Sequence, residues 1–131
     1  MRKSAILLAV SIMLVSSTTY AEVRKGYYES GQLKAELNYK YGKREGICKF
    51  YYESGQLRSE KNYKDGKIEG ITKAYYESGQ LLEEGNFKDD KREGITKLYY
   101  ESGQLKVEVN YKNGVMINQK KYDSDGNLVS E

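Results

Sequence analysis

From residue 22 onward apolar and polar side chains alternate with a period of two, and no stretch shows a helical period. One unit reads Glu-Gly-Ile-Thr-Lys-Leu-Tyr-Tyr over 93–100, then Glu-Ser-Gly-Gln, then Leu-Lys-Val-Glu-Val-Asn-Tyr-Lys over 105–112. Two runs of Tyr, Val, Ile and Thr around a Ser-Gly turn predict a β-hairpin. A second turn, Asp65-Gly66 or Asn113-Gly114, joins one unit to the next, with glycine supplying the positive φ that tight hairpins need.

The unit recurs. Tyr-Tyr-Glu-Ser-Gly-Gln-Leu stands at 27–33, 51–57, 75–81 and 99–105, each copy 24 residues after the last. A fixed period of this size marks a repeat array. The predicted fold is therefore all-β: two strands per repeat, laid side by side as an elongated, twisted antiparallel meander. Four repeats and a degenerate C-terminal cap occupy 22–131. In the cap Asn118 replaces the glycine expected after Gly94, and the motif at Tyr122–Leu128 is one residue out of step.

Register depends on the turn; a glycine bulge there would shift it by one and set Lys97 among the valines, the less favourable arrangement. With Ser102-Gly103 as a two-residue turn, Tyr100 faces Leu105, Leu98 faces Val107 and Thr96 faces Val109. The same pairing sets Lys97 against Glu108, and likewise Lys25–Glu36, Lys49–Glu60 and Lys73–Glu84. One face then carries Leu33, Leu57, Leu81 and Leu105, the ring row Tyr39, Tyr63, Phe87 and Tyr111, and the second-tyrosine row Tyr28, Tyr52, Tyr76 and Tyr100. Gly46, Gly70 and Gly94 fall beside the ring row, leaving room for rings over backbone. The other face carries Lys, Glu and Asn with Ile47, Ile71 and Ile95.

Residues 1–21 read as a helical signal peptide. Arg2 and Lys3 precede an apolar run from Ala5 to Val15, and Thr19 and Ala21 supply small residues for cleavage after Ala21. The run is short for a bilayer span. Export to the periplasm, cell surface or exterior is the expectation. Removing Arg2 and Lys3 from 22 basic residues leaves 20 against 19 acidic ones, a net +1. The two signs alternate, so no phosphate-binding stripe forms and nucleic acid is not expected.

The units resemble the variant MORN repeat, whose pattern runs Tyr-Tyr-x-x-Gly-x-Leu, an aromatic, a turn glycine and Glu-Gly. Tyr51-Tyr52-Glu53-Ser54-Gly55-Gln56-Leu57, Tyr63, Gly66 and Glu69-Gly70 follow it. The resemblance implies a row of β-hairpins with a groove and a role in protein interaction or peripheral membrane contact. It also implies an antitoxin role, because bacterial relatives often carry that label. The tryptophan common in ordinary MORN units is absent here.

Catalysis is not expected. Histidine is absent, removing the commonest general base and metal ligand. Cys48 is the single cysteine and takes the position of Thr72 and Thr96, a small strand residue. Each of Glu36, Glu60, Glu84 and Glu108 has a lysine opposite. Asp123-Ser124-Asp125-Gly126-Asn127 is oxygen-rich, but its glycine is misplaced for a calcium loop. No cofactor or metal is anticipated.

The repeats differ at the centre of the aromatic face. Copies one and four carry Ala35, Leu37, Val107 and Val109, whereas copies two and three carry Ser59, Lys61, Glu83 and Gly85, with Ala74 nearby. This predicts a wet groove whose partner-binding residues are Tyr52, Tyr76, Tyr100, Lys61 and Glu83. The expected function is an exported, non-enzymatic scaffold or interaction module for a protein or envelope component. An antitoxin or immunity-type inhibitor and a carbohydrate- or cell-wall-binding module are the alternatives. Self-association through edges or faces is compatible with each.

Overall fold

The computed structural model describes residues 9–11 and 20–131. Its strands are β1 (Ala9–Ser11), β2 (Ala21–Tyr27), β3 (Leu33–Lys40), β4 (Lys43–Arg44), β5 (Gly46–Tyr51), β6 (Leu57–Lys64) and β7 (Lys67–Tyr75). They continue as β8 (Leu81–Lys88), β9 (Lys91–Arg92), β10 (Gly94–Tyr99), β11 (Leu105–Lys112), β12 (Val115–Tyr122) and β13 (Leu128–Ser130). All belong to one antiparallel sheet in chain order, with β4 and β9 as short spurs pairing β3 and β8. The all-β hairpin meander expected from the period is the fold.

Residues 9–11 differ from the helix expected for residues 1–21. Ala9–Ser11 pairs as a strand with Val23–Lys25 instead of forming a helix, because the open edge of β2 offers unpaired N–H and C=O groups. The rest of the expected signal peptide lies outside the described residues.

Between units the turns are as read. Lys64 pairs with Lys67 across Asp65-Gly66, whose φ values are +50° and +84°, and Lys112 with Val115 across Asn113-Gly114 at +50° and +79°. Both central residues are left-handed, matching the twist of the flanking strands. Within units the turn is longer than predicted. Tyr100 N–H donates to Gln104 C=O and Gly103 N–H to Tyr100 C=O, enclosing three loop residues with Gly103 at φ +93°. A bulge opposite Tyr99 then absorbs the extra residue, so Leu98 still pairs with Val107, Lys97 with Glu108 and Thr96 with Val109.

That pair of irregularities corrects the predicted faces. Leu33, Leu57, Leu81 and Leu105 stand opposite Tyr27, Tyr51, Tyr75 and Tyr99 rather than the second tyrosine of each pair. Cross-strand partners share a face. The leucines therefore leave the ring-row face for the lysine–glutamate face, and the bulged residues Lys34, Arg58, Leu82 and Lys106 turn the other way. Lys34 and Lys106 lie 5.3 and 5.2 Å from the rings of Tyr28 and Tyr100.

The glycine role is corrected too. Gly46, Gly70 and Gly94 do pair with Tyr63, Phe87 and Tyr111, yet a Cβ at Gly46 or Gly94 would meet nothing within 4 Å. Their φ values of +86°, +86° and +76° are what exclude other residues. Gly46 and Gly94 begin β5 and β10, and Gly70 lies inside β7 at a register shift, where Asn62 Nδ2 donates to Glu69 C=O at 2.8 Å. The preceding glutamates tie neighbouring units. Glu45, Glu69 and Glu93 accept from the turn amides of Asp65, Asp89 and Asn113 at 2.7, 2.9 and 2.8 Å.

The core is one thin line on the ring-row face. Cys48, Thr72, Gly85, Thr96, Val109 and Tyr63 are buried there, at the middle of successive strands. Cys48 is fully enclosed, and burial pushes its thiol pKa up. A disulfide between chains through Cys48 is closed off in the folded state.

Candidate functional site

Variation among the repeats concentrates where β6, β7 and β8 run side by side. Ser59 pairs with Ala74 and Ala74 with Glu83; one step along, Lys61 pairs with Thr72 and Thr72 with Gly85. In these two rows Ser59, Lys61, Glu83 and Gly85 replace Ala35, Leu37, Val107 and Val109 of the outer copies. Ser59, Ala74, Glu83, Lys61 and Thr72 form the floor of an open groove of about 460 Å³, lined also by Tyr52, Arg58, Leu82, Phe87 and Arg92.

Three of the five predicted partner-binding residues, Tyr52, Lys61 and Glu83, meet in this groove. Tyr76 and Tyr100 do not line it. The second-tyrosine row runs along the sheet, not around the groove, because each hydroxyl reaches the following repeat. Tyr28, Tyr52, Tyr76 and Tyr100 donate to the carbonyls of Tyr51, Tyr75, Tyr99 and Tyr122 at 2.7, 2.7, 2.8 and 2.9 Å. These tyrosines are struts between repeats, with their rings half-buried.

Arg92 was missed by the sequence reading. Its guanidinium donates to Glu83 Oε1 at 2.6 Å and to Thr96 Oγ1 at 3.0 Å, and lies 5.1 Å from the Phe87 ring and 5.6 Å from that of Tyr111. Gly85 makes this reach feasible: a Cβ there would stand 3.0 Å from the same guanidinium and 2.9 Å from Thr96 Oγ1. The usable signal was the 24-residue column Arg44, Ile68, Arg92, in which arginine recurs two residues before each of Gly46 and Gly94. Arg44 behaves alike, donating to the Tyr63 hydroxyl at 3.2 Å. Its pKa is raised by hydrogen bonding to Tyr39, then by the Tyr63 contact, against the opposing effect of burial.

Arg92 thus neutralises Glu83, while Lys61 lies 5.8 Å from the Phe50 ring. The groove offers the Lys61 ammonium and the exposed Arg58 guanidinium, the hydroxyls of Ser59 and Thr72, and aromatic walls. That set recognises; it holds no nucleophile–base pair. In the cap, Asp123 accepts from Asn127 N–H at 2.9 Å and Asp125 N–H at 3.0 Å, which holds its carboxyl below the usual range. The acidic loop is thereby a self-capped turn.

Sheet, period and struts define a tandem β-hairpin repeat protein. The family model for the MORN repeat variant matches residues 23–41, 44–65, 68–89 and 92–113, and the chain belongs to that family. No curated protein matches the chain. Repeats of this kind serve generally as protein- or membrane-interaction modules, in keeping with a non-catalytic scaffold.

Proposed function

We propose that the chain is an exported, non-enzymatic interaction module that holds a protein or envelope component in the groove across β6, β7 and β8. Residues 1–21 serve as the export signal and residues 22–131 as the binding domain. The reading rests on one observation: at the centre of the sheet Ser59, Lys61, Glu83 and Gly85 take the positions that Ala35, Leu37, Val107 and Val109 hold in the outer repeats. Glu83 is engaged by Arg92, so Lys61, Arg58 and the neighbouring hydroxyls favour an acidic or carbonyl-rich group on the partner. Tyr52, Phe50 and Phe87 supply ring surface at low entropic cost.

The test is in-cell photocrosslinking from a probe replacing Ser59 on the floor, with a probe replacing the exposed cap-turn residue Ser124 as control. Capture specific to position 59 is expected, and Lys61→Glu reduces it by about tenfold or more. Equal capture from both positions, or capture indifferent to Lys61→Glu combined with Tyr52→Ala, removes the groove assignment.

A further inference from the structure

The face opposite the groove is periodic across the whole sheet. Its central row alternates lysine and glutamate on every successive full strand, from Lys25–Glu36 through Lys97–Glu108 to Lys120, which Glu131 just beyond β13 approaches at 3.8 Å. Lys25–Glu36, Lys49–Glu60 and Lys73–Glu84 close to 3.5, 3.9 and 3.5 Å, and these side chains remain about 30–40% exposed. On one flank Tyr and Leu alternate in the same rhythm, as in Tyr75 opposite Leu81; on the other Ile and Asn alternate, as in Ile71 opposite Asn86. Ile47, Ile71 and Ile95 are 50%, 60% and 44% exposed. All three rows repeat every two strands, roughly 9.6 Å.

A row of alternating opposites is complementary to itself under one operation. Take a two-fold axis parallel to the strands, passing between Lys73 on β7 and Glu84 on β8. It maps each odd strand onto an even one, setting lysine over glutamate, tyrosine over leucine and isoleucine over asparagine in every row. An axis along the row would instead set lysine over lysine. The same operation drops Ile95 of a second copy above Asn62, between Ile47 and Ile71. A hollow of about 460 Å³ lined by Ile47, Glu60, Asn62 and Ile71 lies at that place.

We propose that this face binds a second copy of the chain in that arrangement, leaving both grooves outward. Charge complementarity fixes the register and the isoleucine columns interlock, as in face-to-face sheet packing. Sheet twist confines the contact to the central strands, where a stable dimer needs about 800 Å² from each partner. This surface is separate from the groove, so failure of either proposal leaves the other standing.

The test is sedimentation equilibrium of the wild-type chain and two charge reversals, Lys73→Glu and Glu84→Lys. In the proposed pairing either variant alone sets like charges together twice, and its self-association weakens by about tenfold or more. Mixed in equal amounts the two variants restore opposite charges at both contacts, and a heterodimer forms with near wild-type affinity. Ile71→Asp, on an exposed position, gives a monomer. Three outcomes overturn the proposal: a monomeric wild type at all accessible concentrations, a dimer unmoved by Ile71→Asp, or an equimolar mixture no stronger than either variant. The mixture also separates the contact from a fold defect, because two misfolded variants do not rescue each other.

Discussion

At the level of single residues, two glycines are needed for opposite reasons, and substitution distinguishes them. Gly94 has φ +76° and open space around a Cβ, so its constraint is backbone conformation. Gly85 has ordinary strand geometry, but a Cβ there would stand 2.9 Å from Thr96 Oγ1 and 3.0 Å from the Arg92 guanidinium. Gly94→Ala is expected to cost about 1–2 kcal/mol through the left-handed φ. Gly85→Ala is expected to cost about 1–3 kcal/mol through crowding of a buried side chain. Adding Thr96→Ala removes the nearest atoms, so it recovers much of the Gly85 loss and none of the Gly94 loss. Urea denaturation of the single and double variants measures both, and an uncoupled Gly85–Thr96 pair refutes the crowding account. Sequence alone could not separate them. Gly94 recurs with the period, which marks a conformational need. Gly85 breaks the column Leu37, Lys61, Val109, and only the pairing of Phe87 with Arg92 reveals what enters the gap.

At the level of strands and turns, the periodic parts of the fold were readable and the cancelling parts were not. The lysine–glutamate ladder was legible because a two-residue turn, and a three-residue turn followed by a bulge, place Lys97 against Glu108 alike. They differ only in the last pair before the turn, and there the leucine column changes face. Ser102-Gly103 is compatible with either turn, so sequence could not choose. Tyr52 lines the groove while Tyr76 and Tyr100 do not, although all three follow the same register shift. Each second tyrosine serves the next repeat through its hydroxyl, and what lies beneath its ring depends on local variation. Tyr76→Phe keeps the ring and removes the 2.8 Å bond to the Tyr99 carbonyl. It is expected to cost about 0.5–1.5 kcal/mol of stability while leaving groove capture unchanged. A Tyr76→Phe protein with intact stability and lost capture would instead return Tyr76 to the binding site.

For the whole molecule, every tie runs to a neighbour. Strands follow chain order without crossovers, tyrosine struts span 22 or 23 residues, and the glutamate-to-turn bonds span 20. Such an array is a sum of units and their interfaces. Removal of one full period is therefore tolerated if the cut recreates a native junction. Deleting residues 73–96 joins Thr72 to Lys97 and restores Ile-Thr-Lys-Leu, the sequence of 95–98. Lys97 then pairs back to Glu60 as Lys73 does, Thr72 pairs forward to Val109 as Thr96 does, and Tyr52 finds the Tyr99 carbonyl in place of that of Tyr75. Circular dichroism of the shortened chain is expected to remain that of a β-sheet, with a cooperative urea transition whose slope falls by roughly a fifth. The deletion also removes Ala74, Glu83, Gly85 and Arg92, leaving Leu98 across from Ser59 where Ala74 stood. Groove capture is then lost from a folded protein, whereas the alternating charge row loses one lysine and one glutamate and stays self-complementary. A shortened chain that folds and dimerises but no longer captures a partner separates the three properties that this sheet assigns to its backbone ties, its groove face and its ladder face. A chain that unfolds would mean that cooperativity reaches beyond adjacent repeats.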